Sequence, residues 1–463
     1  MTDQTMTMSD ERPNVVLINC DDLGYGDLGC YGSALNRTPA IDELADQGLR
    51  FDSFYMASPV CSPSRAAMLT GCYPPRIGFA EFEGWPVLFP GQPLGLSTSE
   101  ISLGRLFSQA GYRTQMIGKW HCGDQPAFLP TNHGFDHYFG LPYSNDMGRQ
   151  VSAPGVVAGP DYPPLPLLLD DQVIEEQPDQ ASLTERYVSE AVRFLRRVGD
   201  TPFLLYLAHL YVHLPIYVQA RFAQSSRNGV YGAAVEAIDW TTAVLVRELR
   251  QLGLESRTIV IFTSDNGSRE GSNLPLRGGK GTTWEGGMRV PCVVRWTGHI
   301  RAGRTTNELA TAMDLYPTLA RLCATDLPAD RTLDGRDISA LLLDEEATSP
   351  HEAFFYYFMR DLEAVRSGPW KLHFSKHRTT VNELYDVVTD VGETTDVARE
   401  NPEVVAKIAR MAETARQSLG DARLGRAGDD VRPIGHVDHP VTLTTFDPEH
   451  PYYAAEYDLS DRG

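Results

Sequence analysis

Residues 14–22 read Asn-Val-Val-Leu-Ile-Asn-Cys-Asp-Asp, and this stretch decides the fold. An unbroken apolar run, with neither helical nor alternating spacing, suits a strand buried on both faces of a parallel sheet. Asp21 and Asp22 follow immediately, and in open α/β sheets ligands bind outside the carboxyl ends of the strands. The arrangement recurs along the chain. Arg113 to Ile117 precedes Lys119 and His121; Phe203 to Ala208 precedes His209 and His213; Thr258 to Thr263 precedes Asp265 and Asn266. One Asp or Asn after a strand is an ordinary turn residue. Four polar clusters at four strand ends are read as one site.

Helical patterns separate these strands, which predicts an α/β fold with a parallel sheet. Thr38-Pro39 opens a helix with Ile41, Leu44 and Ala45 on one face. Ser97-x-x-Glu100 reads as the capping box of a helix ending at Gly111, and Ser182-x-x-Glu185 as that of another. Gly232 to Leu252 is a further helix, and Pro291 to Trp296 a further strand. Pro74 to Leu96 and Pro154 to Leu169 read as long irregular loops, where function tends to sit. After about residue 345 short antiparallel strands are expected at 353–357, 364–366 and 370–374, followed by a helix from Pro402 to Leu419. Two units are therefore expected, a catalytic domain at 1–345 and a C-terminal subdomain at 346–463 whose tail, from Asp429, packs as an extended strap.

The 463 residues are 42% hydrophobic and 22% charged, which excludes wholesale disorder. Lys and Arg total 41 against 61 Asp and Glu, a net charge of -20. Such a surface repels phosphate backbones, so no nucleic-acid partner is expected. Any anion site must rest on a few local cations. Only Lys119, Lys280, Lys371, Lys376 and Lys407 are lysines, so a lysine inside a motif is informative. No secretory pattern and no long apolar span is visible, so no membrane partner is expected. Seven scattered cysteines without a CxxC pair fit free thiols in a reducing cytoplasm, and argue against thiolate-held zinc.

Asp21, Asp22, Asp265 and Asn266 offer oxygen ligands alone, which selects a hard cation; Ca²⁺ is favoured for its tolerance of mixed ligands, with Mg²⁺ possible. Cys61-Ser-Pro-Ser-Arg65 places Cys61 at a helix N-terminus, where the dipole lowers a thiol pKa, with Arg65 on the same helical face. Lys119 and His121, two apart on an extended segment, are expected to point to the same side. Lys280 stands in the glycine-rich run Leu-Arg-Gly-Gly-Lys-Gly-Thr-Thr-Trp-Glu-Gly-Gly (276–287), whose backbone can approach a ligand closely.

Cys61-Ser-Pro-Ser-Arg65 with Leu69-Thr-Gly71 resembles the signature of the type I sulfatases. Gly118-Lys-Trp-His121, Asp21-Asp22, Ser264-Asp-Asn-Gly267 and Arg277-Gly-Gly-Lys-Gly281 match that family in kind and order. Ala364–Leu372 (AVRSGPWKL) and Glu393, near Glu383–Asp390 (ELYDVVTD), are similar to its small C-terminal domain. Gly140-Leu-Pro-Tyr-Ser144-Asn-Asp146 further resembles the arylsulfatase A branch. The resemblance implies an alkaline-phosphatase-like fold: a large mixed, mostly parallel sheet sandwiched by helices. It implies hydrolysis of sulfate esters, aryl or carbohydrate, through formylglycine made from Cys61 by a separate formylglycine-generating enzyme. A hydroxyl of the hydrated aldehyde would attack sulfur, giving a covalent sulfo-enzyme, and loss of the second hydroxyl's proton would expel sulfate.

Within that scheme Asp21, Asp22, Asp265 and Asn266 hold the metal together with position 61. Arg65 and Lys119 hold the hydrate, and His121 is the base. His213, preferred over His209 for its His-x-Pro context, and Lys280 bind the sulfate, one of them protonating the leaving oxygen; Ser144 also contacts substrate. A bacterial, cytoplasmic enzyme is expected, and the sequons at Asn36 and Asn266 are read as chance. Two rival readings are a hydrolase of phosphorus esters and a silent binder of sulfated ligands, the latter requiring Cys61 to remain a thiol.

Overall fold

Asn14–Cys20 is a strand with all seven residues buried. In this computed structural model, which describes residues 12–153, 156–158, 162–376, 378–447 and 449, it runs through the middle of a ten-stranded sheet. Phe203–Ala208 pairs with it on one side and Thr258–Ser264 on the other, both parallel and without register shifts. Arg113–Gly118 and then His137–Gly140 extend the parallel block beyond Phe203–Ala208. Beyond Thr258–Ser264 the sheet turns antiparallel through Cys292–Arg295 and Leu49–Phe51, and ends on the parallel strand Arg304–Thr306. Pro166–Leu169 and Gln172–Glu176 form an antiparallel pair at the opposite edge.

Alternate residues of the central strand feed two cores. Val15 and Leu17 pack into one face beside the helices Cys61–Thr70, Leu103–Gln109 and Leu315–Leu322. Val16 and Ile18 pack into the other beside Pro39–Asp46, Gln180–Arg197 and Gly229–Gln251. A strand with no polar face needs cover on both sides, and the layered sheet follows. The sheet is mixed but mostly parallel and helix-covered on both faces, as expected.

A separate four-stranded antiparallel sheet, Phe354–Phe358, Asp361–Ser367, Trp370–Lys376 and Thr379–Asp386, packs with the helix Pro402–Leu419 around its own core. Its last strand was not anticipated: Thr379–Asp386 carries mostly polar residues that pair at an edge rather than fill a core. The tail crosses back as a strap. Gly435 and His436 pair with Gly95 and Leu94, the Val441 amide donates to the Gln125 side chain at 2.8 Å, and the Thr444 hydroxyl donates to the Pro164 carbonyl at 2.5 Å.

Three local expectations are corrected. The helix before Gly111 starts at Leu103, capped by the Ser102 hydroxyl, which accepts from the Arg105 amide at 3.2 Å. Ser97 and Glu100 form only a turn, and the Glu100 carboxylate is taken by Arg432 of the strap at 2.6 Å, a partner no local pattern reveals. The helix assigned to a Ser182 cap begins at Gln180, with Asp179 accepting from the Ala181 amide at 2.9 Å. The region 154–169 is not all loop. Part of it (154–155 and 159–161) lies outside the described residues, and its end, Pro166–Leu169, is a sheet strand.

Candidate active site

The polar clusters meet at the carboxyl edge of the parallel block. One oxygen each from Asp21, Asp22 and Asp265, and the Cys61 sulfur, all lie within 4.8 Å of one another. Asp22 adopts a left-handed backbone (φ 61°), which turns the chain sharply after the strand so that neighbouring carboxylates face one centre. The Asn266 amide donates to Asp22 Oδ1 at 2.7 Å, and its own buried Oδ1 has no hydrogen-bond partner. Three clustered carboxylates and an orphaned amide oxygen fit a hard divalent cation. Burial, opposed by Arg65 and reinforced by Asp21 and Asp22, pushes the Asp265 carboxyl up to about 7. Asp21 goes the other way: burial opposes ionisation, but Lys119, with His213, Arg65 and Lys280, holds its carboxyl well below the usual range.

Cys61 opens the helix Cys61–Thr70, every residue of which is buried. Pro63 sits in the first turn, where its missing N–H is no loss. The Ser64 hydroxyl donates to the Asp265 carbonyl, and the Ser62 hydroxyl accepts from the Leu88 amide at 3.2 Å, tying the helix start to the acid cluster and to the loop above it. These two serines act through contacts that a sequence reading did not assign. Arg65 does reach the site, but it holds Asp265 (Nε–Oδ2, 2.9 Å) and the Lys119 carbonyl (3.0 Å). The expected lowering of the Cys61 thiol is overturned. Burial, followed by Asp21, raises its pKa well above the usual value, outweighing the opposing effect of Lys119 and Lys280.

The strand Arg113–Gly118 ends on a left-handed glycine (φ 102°); a Cβ at Gly118 would lie 1.8 Å from the Ala208 carbonyl oxygen. This close passage brings Lys119 under the cluster, where Nζ contacts Asp21 Oδ2 at 2.5 Å and Ser144 Oγ at 3.2 Å. Lys119 and His121 do not sit on one extended segment, because His121 is itself left-handed (φ 58°). Its Nε2 lies 3.0 Å from the Leu88 carbonyl, an acceptor, so Nε2 carries the proton and Nδ1, which has no partner, keeps a free lone pair. Burial and then Lys119 push its pKa well below the usual imidazole value.

Cys61, His121, Ser144, His213 and Lys280 line one cavity of about 580 Å³ together with Asp22. Lys280 Nζ is 2.9 Å from Asp22 Oδ2, and His213 Nε2 is 3.9 Å from the same oxygen. Burial opposes the Lys280 charge, but Asp22 and Cys61 raise its pKa. Burial and Lys280 lower that of His213. His209 is fully buried away from the cavity, with neither ring nitrogen partnered. His133 is also buried, tilted against Trp120. Both asparagines of the sequons are buried, Asn266 within the cluster itself.

The loop bearing Lys280 is clamped by the C-terminal sheet. Lys371 Nζ donates to the Thr283 carbonyl at 2.7 Å and pairs with Glu285 at 3.0 Å and Glu393 at 2.9 Å; the Glu285 amide donates to Glu393 at 2.8 Å, and Arg277 to the Glu393 carbonyl at 2.9 Å.

Acid cluster, helix-borne Cys61 and surrounding cations together define a hydrolase of anionic esters built at the edge of an α/β sheet. Comparison with known proteins sharpens that class. The sulfatase family profile matches residues 13–324, and that of the N-sulphoglucosamine sulphohydrolase C-terminal region matches residues 279–418. Arylsulfatase A of Homo sapiens is 40% identical over 91% of this chain and 92% of its own length. N-acetylgalactosamine-6-sulfatase of Sus scrofa is 38% identical over 80% of this chain and 73% of its own. The crystal structure of the PsFucS1 sulfatase from Pseudoalteromonas sp. superposes with a TM-score of 0.80 at 29% identity, covering 92% of each chain. The chain belongs to the sulfatase family, and it is a sulfuric ester hydrolase.

Proposed function

We propose that this sulfatase acts on small aryl or carbohydrate sulfate esters through formylglycine at position 61. The observation that carries this reading is the state of Cys61. As a buried thiol with a raised pKa it is neutral, hence a poor nucleophile, yet it stands at the centre of the acid cluster and the cation ring. Oxidised to an aldehyde and hydrated, the residue supplies one hydroxyl to attack sulfur and a second whose deprotonation releases sulfate. The free Nδ1 of His121, lining the same cavity, takes that second proton. Lys119 orients Ser144 and neutralises Asp21. Lys280 keeps its proton and clamps the sulfate oxygens, while His213, which holds its proton less tightly, delivers one to the leaving oxygen.

Asp21, Asp22, Asp265 and Asn266 would hold Ca²⁺, which would polarise the nucleophile and a sulfate oxygen. Ca²⁺ is preferred to Mg²⁺ because it accepts a mixed set of carboxylate and amide oxygens, whereas Mg²⁺ tends to keep its waters. All seven cysteines are unpaired, which supports maturation in a reducing cytoplasm by a formylglycine-generating enzyme. The test is the mass of the tryptic peptide Phe51–Arg65 from protein made together with such an enzyme. The aldehyde in place of the thiol, with sulfate released from a synthetic ester, is expected. An unmodified thiol in active protein would overturn the reading.

A further inference from the structure

The lining of the catalytic cavity divides by chemistry. Pro86, Val87 and Phe89 from the loop between Pro74 and Leu96, with Val212 and Leu214, give it apolar surface. Asp146, Arg269 and Glu270 add charge that the reaction itself does not use. Asp146 is the unusual member. Its Oδ1 is buried and has no hydrogen-bond partner, and among the described residues no cation forms an ion pair with it, although Lys280 and Arg269 line the same cavity. A desolvated carboxylate oxygen left unpaired costs free energy, and more so beside a pocket that must admit an anion.

The turn that carries Asp146 is held on both sides. Ser144, two residues earlier, accepts from Lys119 at 3.2 Å. The Asn145 amide bridges to the Pro215 carbonyl and to Gln180 Oε1, each at 2.9 Å, joining the turn to the segment that bears His213. Asp146 is therefore fixed in the cavity wall. Glu270, half exposed on the same wall, adds a second negative group, with Arg269 4.0 Å from it.

Resting on the sulfatase reading, we propose that Asp146 is a specificity-determining residue. Its carboxylate accepts a hydrogen bond from a donor on the leaving alcohol beside the ester, and together with Glu270 it turns away alcohols that carry a second anion. The favoured substrate is thus a neutral, hydroxyl-bearing ring with a single sulfate, its apolar face against Phe89. Polysulfated or carboxylate-bearing rings meet the unpaired Asp146 carboxylate and, at the rim, Glu270, and are rejected.

Three synthetic esters test this with formylglycine-bearing full-length enzyme: phenyl sulfate, 2-hydroxyphenyl sulfate and 2-carboxyphenyl sulfate. The readout is the ratio of kcat/KM values in wild type and in Asp146→Asn, which cancels the differing leaving-group chemistry. The hydroxyl-to-carboxylate ratio is expected to fall by about tenfold in Asp146→Asn, equivalent to one charge-assisted hydrogen bond. Glu270→Gln, on the exposed rim, is expected to relax only the rejection of the carboxylate, leaving the hydroxyl-to-phenyl ratio where it was. Ratios unmoved in both variants, with phenyl sulfate still hydrolysed by wild type, overturn the role of Asp146 alone. If the formylglycine-bearing wild type hydrolyses none of the three, the reading that it acts on small aryl sulfate esters falls and this proposal with it.

Discussion

At the scale of single residues, protonation states set what the site can do. His121 is buried beside Lys119 and its imidazole pKa is pushed well below the usual value. The base form therefore persists into mild acid, and the acid limb of kcat is expected below the ordinary histidine range. His121→Ala should lower kcat by about 10²–10⁴-fold, the usual worth of a positioned base; steady-state kinetics from pH 5 to 8 read both. His209 reports on stability instead. Burial lowers its pKa to about 3, so below the unfolded value near 6.5 the unfolded chain binds a proton that the folded protein refuses. The depressed histidine is thus a liability that grows as pH falls. Urea unfolding of His209→Leu should gain on wild type by about 1.4 kcal/mol per pH unit between pH 6 and pH 4; parallel pH dependences would refute the assignment.

At the scale of elements, the helix Cys61–Thr70 is the part that must not move, because its first residue is the reacting one. It is sealed at the far end by Gly71 in the left-handed conformation (φ 69°), whose amide donates to the Ala67 carbonyl at 2.9 Å. A Cβ there would also sit 3.0 Å from Tyr316 Cβ. Gly71→Ala is expected to cost about 1–2 kcal/mol of stability from the backbone alone, measured by urea unfolding; no loss would mean that the cap is not under steric control. The stop of this helix at Gly71 comes from the structure; the sequence announced only its start, in Cys61-Ser-Pro-Ser-Arg65. It misplaced the starts of two others, because Ser97 and Ser182 satisfy the local pattern while Ser102 and Asp179 make the hydrogen bonds.

At the scale of the whole molecule, the C-terminal sheet contributes to the site without entering it. Lys371, Glu285 and Glu393 are fully buried between the sheets and clamp the loop that presents Lys280. Lys371→Met removes the cation that Glu285 and Glu393 share, leaving Glu285 the more distant Arg289 at 3.6 Å and Glu393 the His373 ring, and should destabilise the protein by about 3–5 kcal/mol. The same change should raise KM for sulfate esters as Lys280 loses its support. The acid cluster is the second global stake. Without a divalent ion the Asp265 carboxyl titrates near 7, raised above its unfolded value, so the stability it lends is present in acid and lost as pH rises through 7. Chelation by EDTA should therefore lower Tm more at pH 8 than at pH 6, with recovery on adding Ca²⁺; scanning calorimetry at the two pH values would show it.

The sequence by itself determined the layered sheet and the edge of it at which the polar clusters gather. Apolar runs ending in Asp, Lys, His or Asn carry both pieces of information locally, because a doubly buried strand and the crevice at its carboxyl end are properties of short segments. Tertiary structure alone decided how those residues act on one another. That the Cys61 thiol is raised rather than lowered, that Arg65 grips Asp265, that His121 offers Nδ1, and that Glu100 belongs to Arg432 all depend on burial and on partners distant in the chain. Desolvation and Coulomb interactions are set by what surrounds a group in space, and no local pattern of residues records that.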